Sequence, residues 1–147
     1  MKRLLIVLVL FVITTYACQL IAADAEVDCN TQPVGFDSNE SNSQKNSRQH
    51  GKWMKWKIKA PDNTLVEFEF VAGKPNTDST GSPFADGRTK FDFTVEDGDK
   101  VKRGTIDKGA AGNYGYQITC HLPNGKVHSV DPIIEVPRIL DESKQSN

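Results

Sequence analysis

The segment Gly112–Val136, G-N-Y-G-Y-Q-I-T-C-H-L-P-N-G-K-V-H-S-V-D-P-I-I-E-V, constrains the fold of this chain more than any other. Tyr114, Tyr116, Ile118, Cys120 and Leu122 recur at period two, which places them on one face of an extended strand. Pro123-Asn124-Gly125-Lys126 supplies a turn, because Pro presets φ and Asn-Gly accepts φ > 0. A second strand then runs back to Val136, with Asp131-Pro132 marking a break or an edge. A turn centred on Asn124-Gly125 sets Pro123 opposite Lys126, Leu122 opposite Val127 and His121 opposite His128. In that register the two histidines share one face and Cys120 lies on the other. The segment is expected to be the closing hairpin of a small β-sandwich.

Alternation recurs upstream. In Lys52–Lys59, Met54, Trp56 and Ile58 face one way, while Trp53, Lys55, Lys57 and Lys59 face the other. Leu65–Val71 sets Val66, Phe68 and Phe70 against Glu67 and Glu69. Lys90–Val95 turns Phe91, Phe93 and Val95 inward, and Val101–Ile106 is a weaker strand. A short candidate strand lies around Glu26–Asn30. With no helical periodicity after the leader, the fold class is all-β, a Greek-key β-sandwich of about seven strands. Phe68, Phe91, Phe93, Tyr116 and Ile118 are its expected core.

Two stretches break the pattern. Asp37–His50 contains no aliphatic or aromatic side chain and reads as a flexible loop or linker. It holds Asn39-Glu40-Ser41, a match to a glycosylation acceptor. Ala72–Thr89 is a long loop of Gly, Pro, Ser, Thr and Asp, of a length that is usually functional or mobile. Its one large apolar residue, Phe84, is expected to pin it to the core.

The N-terminus reads as an export signal. Lys2 and Arg3 precede the apolar run Leu4–Ile13, and Ala22, Ala23 and Ala25 offer small residues for cleavage. The run is shorter than the ~20 residues of a membrane span. A minority reading makes Ala17-Cys18 a lipoprotein acylation site. The expected organisation is a signal peptide over 1–23, an N-terminal strand and polar linker over 24–50, the main part of the sandwich over 51–137 and a disordered tail over 138–147. Cleavage leaves 18 − 2 = 16 basic residues against 19 acidic ones, which gives no global attraction to nucleic acid. Localisation is expected to be periplasmic or secreted. Cys29 and Cys120 then remain, and in an oxidising compartment they are expected to form a disulfide. The alternative is free thiols or a thiolate metal ligand.

The residues G-N-Y-G-Y-Q-I-T-C and S-V-D-P-I-I-E-V resemble the closing region of cupredoxins and of cupredoxin-like bacterial secreted domains. That resemblance implies a copper held by two His, a Cys thiolate and a weak axial Met, serving electron transfer. It makes Cys120 the thiolate and leaves His121 and His128 as the metal-ligand candidates. The chain departs from the pattern: no Met follows Cys120, the one Met beyond the leader is Met54, and the sole upstream histidine, His50, ends a polar loop. An immunoglobulin-like sandwich is the rival; there Trp53 and Trp56 lie between the cysteines, but Ile118 stands where a Tyr is expected.

No catalytic set stands out. His128, Ser129 and Asp131 are triad residue types, but neighbours in one strand alternate faces. Glu96-Asp97-Gly98-Asp99 is too short for a calcium loop, and Gly109-Ala110-Ala111-Gly112 lacks the strand-then-helix context of a phosphate loop. Trp53, Lys55, Lys57 and Lys59 form a surface suited to an anionic glycan or polymer, or to a protein partner. Glu67 and Glu69 on the following strand are expected to neutralise those lysines across it. The chain therefore reads as an exported, non-catalytic sandwich with a binding or structural role. A copper electron-transfer protein with a rearranged site and a glycan-binding module are the alternatives.

Overall fold

The computed structural model describes residues 25–38, 45–47, 50–96 and 100–138. The expected signal peptide with Cys18, the match to a glycosylation acceptor at Asn39, Asp97–Asp99 and the expected tail beyond residue 138 lie outside them. Ten strands occur among the described residues: β1 (Ala25–Asp28), β2 (Gly35–Ser38), β3 (Lys45–Ser47), β4 (Trp53–Lys59), β5 (Leu65–Phe70), β6 (Lys90–Thr94), β7 (Lys100–Thr105), β8 (Gly112–His121), β9 (Val127–Val130) and β10 (Ile133–Val136). They form two mixed sheets. One has the order β2-β1-β4-β7; the other runs β3-β10-β8-β5-β6, with β9 also on β8. The parallel pairs are β1 with β4 and β3 with β10.

The inward rows of the two sheets make one core. Met54, Trp56 and Ile58 from β4 meet Val66, Phe68 and Phe70 from β5 and Tyr114, Tyr116, Ile118 and Cys120 from β8, all buried. Trp56 is the hub. Its ring centroid lies 5.0 Å from that of Phe68 and 5.8 Å from that of Phe84, and its Nε1–H donates to the Tyr116 hydroxyl at 3.1 Å. Tilted and edge-on ring contacts of this kind stabilise beyond area burial alone.

Two expectations need correction. Phe91 and Phe93 are only half-buried, because β6 is the outermost strand of its sheet and has core on one side only. Phe91 still stacks on Phe68 with centroids 4.7 Å apart. The polar segment 37–50 is not all linker: it includes the end of β2 and the whole of β3, which pairs with β10. A strand at a sheet margin is held by backbone hydrogen bonds and needs no apolar row. The second strand of the closing hairpin is divided into β9 and β10 at Asp131-Pro132, the break expected there. The register is constant across the division, since Ile118 faces Val130 and Gly115 faces Ile133. Pro132 has no N–H to give, so the ladder loses one rung there.

The loop Ala72–Thr89 is tied down along its length. Val71 N–H donates to Gly115 O, Asp78 and Ser79 N–H both donate to Asn113 O, and the Asp78 carboxylate accepts from Asn113 N–H at 2.6 Å. The loop therefore extends the edge of β8 where β5 stops. It runs so close that a Cβ on Gly112, whose φ is +107°, would lie 2.3 Å from Ser79 Oγ. Phe84 pins the loop as expected: it is buried, packs edge-on against Phe70 at 5.4 Å and covers Gly104, where a Cβ would lie 2.7 Å from its ring.

Candidate functional site

Cys29 follows β1 directly, and Cys120 sits in the inward row of β8. They are bonded, with Cα atoms 5.8 Å apart and 91 positions between them in sequence, so the disulfide joins the two sheets. Both cysteines are fully buried. His128 lies directly opposite Cys120, is itself buried, and its Nδ1 donates to the Cys29 carbonyl at 2.9 Å. That contact fixes the ring beside the disulfide.

The expected His121–His128 pair does not form. Leu122 N–H donates to Lys126 O and Gly125 N–H donates to Leu122 O, so the turn holds three residues, Pro123-Asn124-Gly125, with Gly125 at φ +80°. This is the three-residue hairpin loop with a left-handed last residue. It moves the register by one from a two-residue centre and sends His128 to the inward face. His121 pairs instead with Val127 and stays outward. The two imidazoles thus lie on opposite faces of the sheet. Among the described residues, no group of three or more His, Cys, Asp or Glu could hold a metal ion.

His121 Nε2 meets Glu67 Oε2 at 2.6 Å, and Lys90 Nζ lies 3.4 Å from Glu67 Oε1. The His121 hydrogen bond first, and the Lys90 charge with it, hold the Glu67 carboxyl below its usual range against partial desolvation. A depressed folded value means that this stabilisation is complete above the ordinary glutamate range of about 4.3 and is lost as pH falls through the lower folded value. The stability advantage of the wild type over Glu67→Gln is therefore expected to shrink between about pH 6 and about pH 3 in parallel thermal melts. An advantage that stays constant or grows toward acid pH would refute this role for Glu67.

The outward row of β4 carries Trp53, Lys55, Lys57 and Lys59 as expected, and Trp53 is 55% exposed. The source of neutralisation is not Glu67 or Glu69. Those residues lie on β5, in the other sheet, so they cannot face the lysines. Glu26 on β1 takes that place: it is at the register position of Lys57, forms an ion pair with Lys59 and lies 4.0 Å from Lys57. Charge on this face is divided, with Asp37, Glu26 and Asp28 at outward positions of β2 and β1 and the lysines on β4.

A shallow cleft of about 330 Å³ is lined by Lys74, Pro75, Asn76, Asp131 and Ile133. Sequence reading did not single out Lys74. Its ammonium pairs with Asp131 and donates to Tyr116 O at 3.3 Å. Tyr116 is the residue opposite Pro132, to which its N–H donates and which has no N–H to donate in return. Asp-Pro in a strand signals such a vacancy, but nothing in the sequence names the side chain that fills it. The triad types separate as expected, with His128 buried and Ser129 and Asp131 exposed.

No protein-family model matches this chain, and neither the curated proteins nor the solved structures yield a match. Among the described residues no helix is long and apolar enough to cross a membrane.

Proposed function

We propose that this chain is an exported β-sandwich of the cupredoxin-like, Greek-key kind that holds a binding or structural role and carries out neither catalysis nor electron transfer. The observation that carries this reading is the Cys29–Cys120 disulfide. Such bonds persist in oxidising compartments, which supports export. The same bond occupies the sulfur that a copper site of this family uses as thiolate, and a disulfide sulfur is not a thiolate ligand. The placement of His121 and His128 on opposite faces of the sheet supports the reading further. Repeated crossing between sheets, from β4 to β5 and from β6 through β7 to β8, supports the Greek-key description. The contact surface in this reading is the outward β4 row, where Trp53 offers a stacking platform beside Lys55 to an acidic glycan or protein.

The test is a thiol count on the denatured protein together with a cupric titration of the native one. No free thiol from Cys29 or Cys120 and no intense blue absorption are expected. A tight blue complex that disappears in Cys120→Ser would overturn the proposal in favour of a rearranged copper site.

A further inference from the structure

We infer that the outer edge of β6 is a self-association surface, where a second copy of this chain adds its own β6 antiparallel to the first. The inference is independent of the binding role proposed above. Hydrogen-bond parity fixes what this edge presents. Val95 N–H donates to Thr64 O and Phe70 N–H donates to Thr89 O, so residues 89, 91, 93 and 95 direct their backbone groups toward β5. Lys90, Asp92 and Thr94 direct theirs the other way. Among the described strands β6 is the last of its sheet, so no described strand takes these groups.

An edge strand with charges of one sign repels its own copy, and natural sheets use this against aggregation. The β6 sequence K-F-D-F-T is different, because Lys90 and Asp92 have opposite signs and are two residues apart on the exposed face. Antiparallel pairing centred on Phe91 sets each Lys90 against the second copy's Asp92, in two symmetric hydrogen-bonded rungs. The neighbouring register, centred on Asp92, sets that carboxylate against itself, so charge selects the first. Lys90 Nζ lies 3.4 Å from Glu67 on β5, but its side chain is 55% exposed, and pairing across the edge turns the ammonium from Glu67 to the second copy's Asp92. On the core side the chosen register brings the two half-buried Phe91 rings together at the close, non-hydrogen-bonded position. The incoming strand thereby covers the ring that an outermost strand leaves open. The symmetry is two-fold and the contact closes on itself, which gives a dimer and not a fibre.

Sedimentation velocity of the purified, oxidised protein from about 1 µM to about 1 mM reads the association directly. A reversible monomer–dimer equilibrium is expected. Asp92→Pro, which removes an outward N–H, should abolish it. Lys90→Asp and Asp92→Lys should each weaken it by about tenfold or more, since both symmetric pairs change from attraction to repulsion. A mixture of these two single variants should associate, because each edge then complements the other. The mixing arm decides the matter even if Asp92→Pro fails to fold. A wild type that stays monomeric throughout overturns the inference, as does a dimer insensitive to both charge variants or a mixture that does not associate.

Discussion

Cys29→Ser is expected to lower the unfolding free energy by about 2–5 kcal/mol. The bond spans 91 positions, and the chain-entropy account assigns a closed loop near 100 residues about 4.7 kcal/mol. The position adds to the effect. Cys29 directly follows the strand that pairs in parallel with β4, whereas Cys120 belongs to the central strand of the other sheet, so the bond adds a covalent link to the side-chain packing and the Val34 N–H to Ser129 O and His128 to Cys29 O hydrogen bonds that also connect the two sheets. Serine would also bring a hydroxyl into a fully buried site. The double variant Cys29→Ala/Cys120→Ala removes the cross-link without that hydroxyl and separates the two contributions. Denaturant unfolding under oxidising conditions measures both, and a midpoint unchanged from wild type would sink the assignment of a stabilising disulfide.

Trp56→Ala should cost a similar amount, about 3–5 kcal/mol. The ring touches Phe68, Phe84, Phe91 and Tyr116, which come from three different strands and the long loop. Its loss opens a cavity between the sheets and leaves the buried Tyr116 hydroxyl without the indole donor. Phe93→Ala is the contrast. That ring is half-buried on an outermost strand, so its loss should cost only about 1–2 kcal/mol. Equal costs for the two variants would show that the core is not centred on Trp56.

Much of this architecture is legible in the sequence, because period two is a strong signal wherever one face is buried. The inward rows of β4, β5 and β8 follow from alternation alone, and so does the role of Phe84 as the single apolar anchor of a polar loop. The Cys29–Cys120 pair is likewise expected from the two cysteines that follow the apolar N-terminal run. The errors arise where alternation is silent. Turn geometry, not pattern, sets the hairpin register, and one residue of loop length separates a shared histidine face from the observed arrangement. Which strand neighbours which is equally hidden. Glu67 and Glu69 follow the lysine row in sequence, but β4 and β5 belong to different sheets, and the acid that meets the lysines comes from Glu26. β3 carries no apolar signal at all, since its place depends on backbone pairing with β10.

The ammonium of Lys74 at the carbonyl facing Pro132 changes what the long loop is. Insertions in a surface loop normally cost little, since closure entropy grows slowly with length. Here, however, the residues nearest β5 supply a donor to the central strand, in place of the backbone N–H that its hairpin partner lacks. Extra residues between Val71 and Lys74 would shift that donor out of reach and uncover a gap in the middle of a sheet. The same insertion around Gly87, beyond the Phe84 anchor and on exposed chain, would leave the donor in place. Tolerance to added length is thus divided at Phe84, with the first half of the loop behaving as part of the sheet and the second half as a connection.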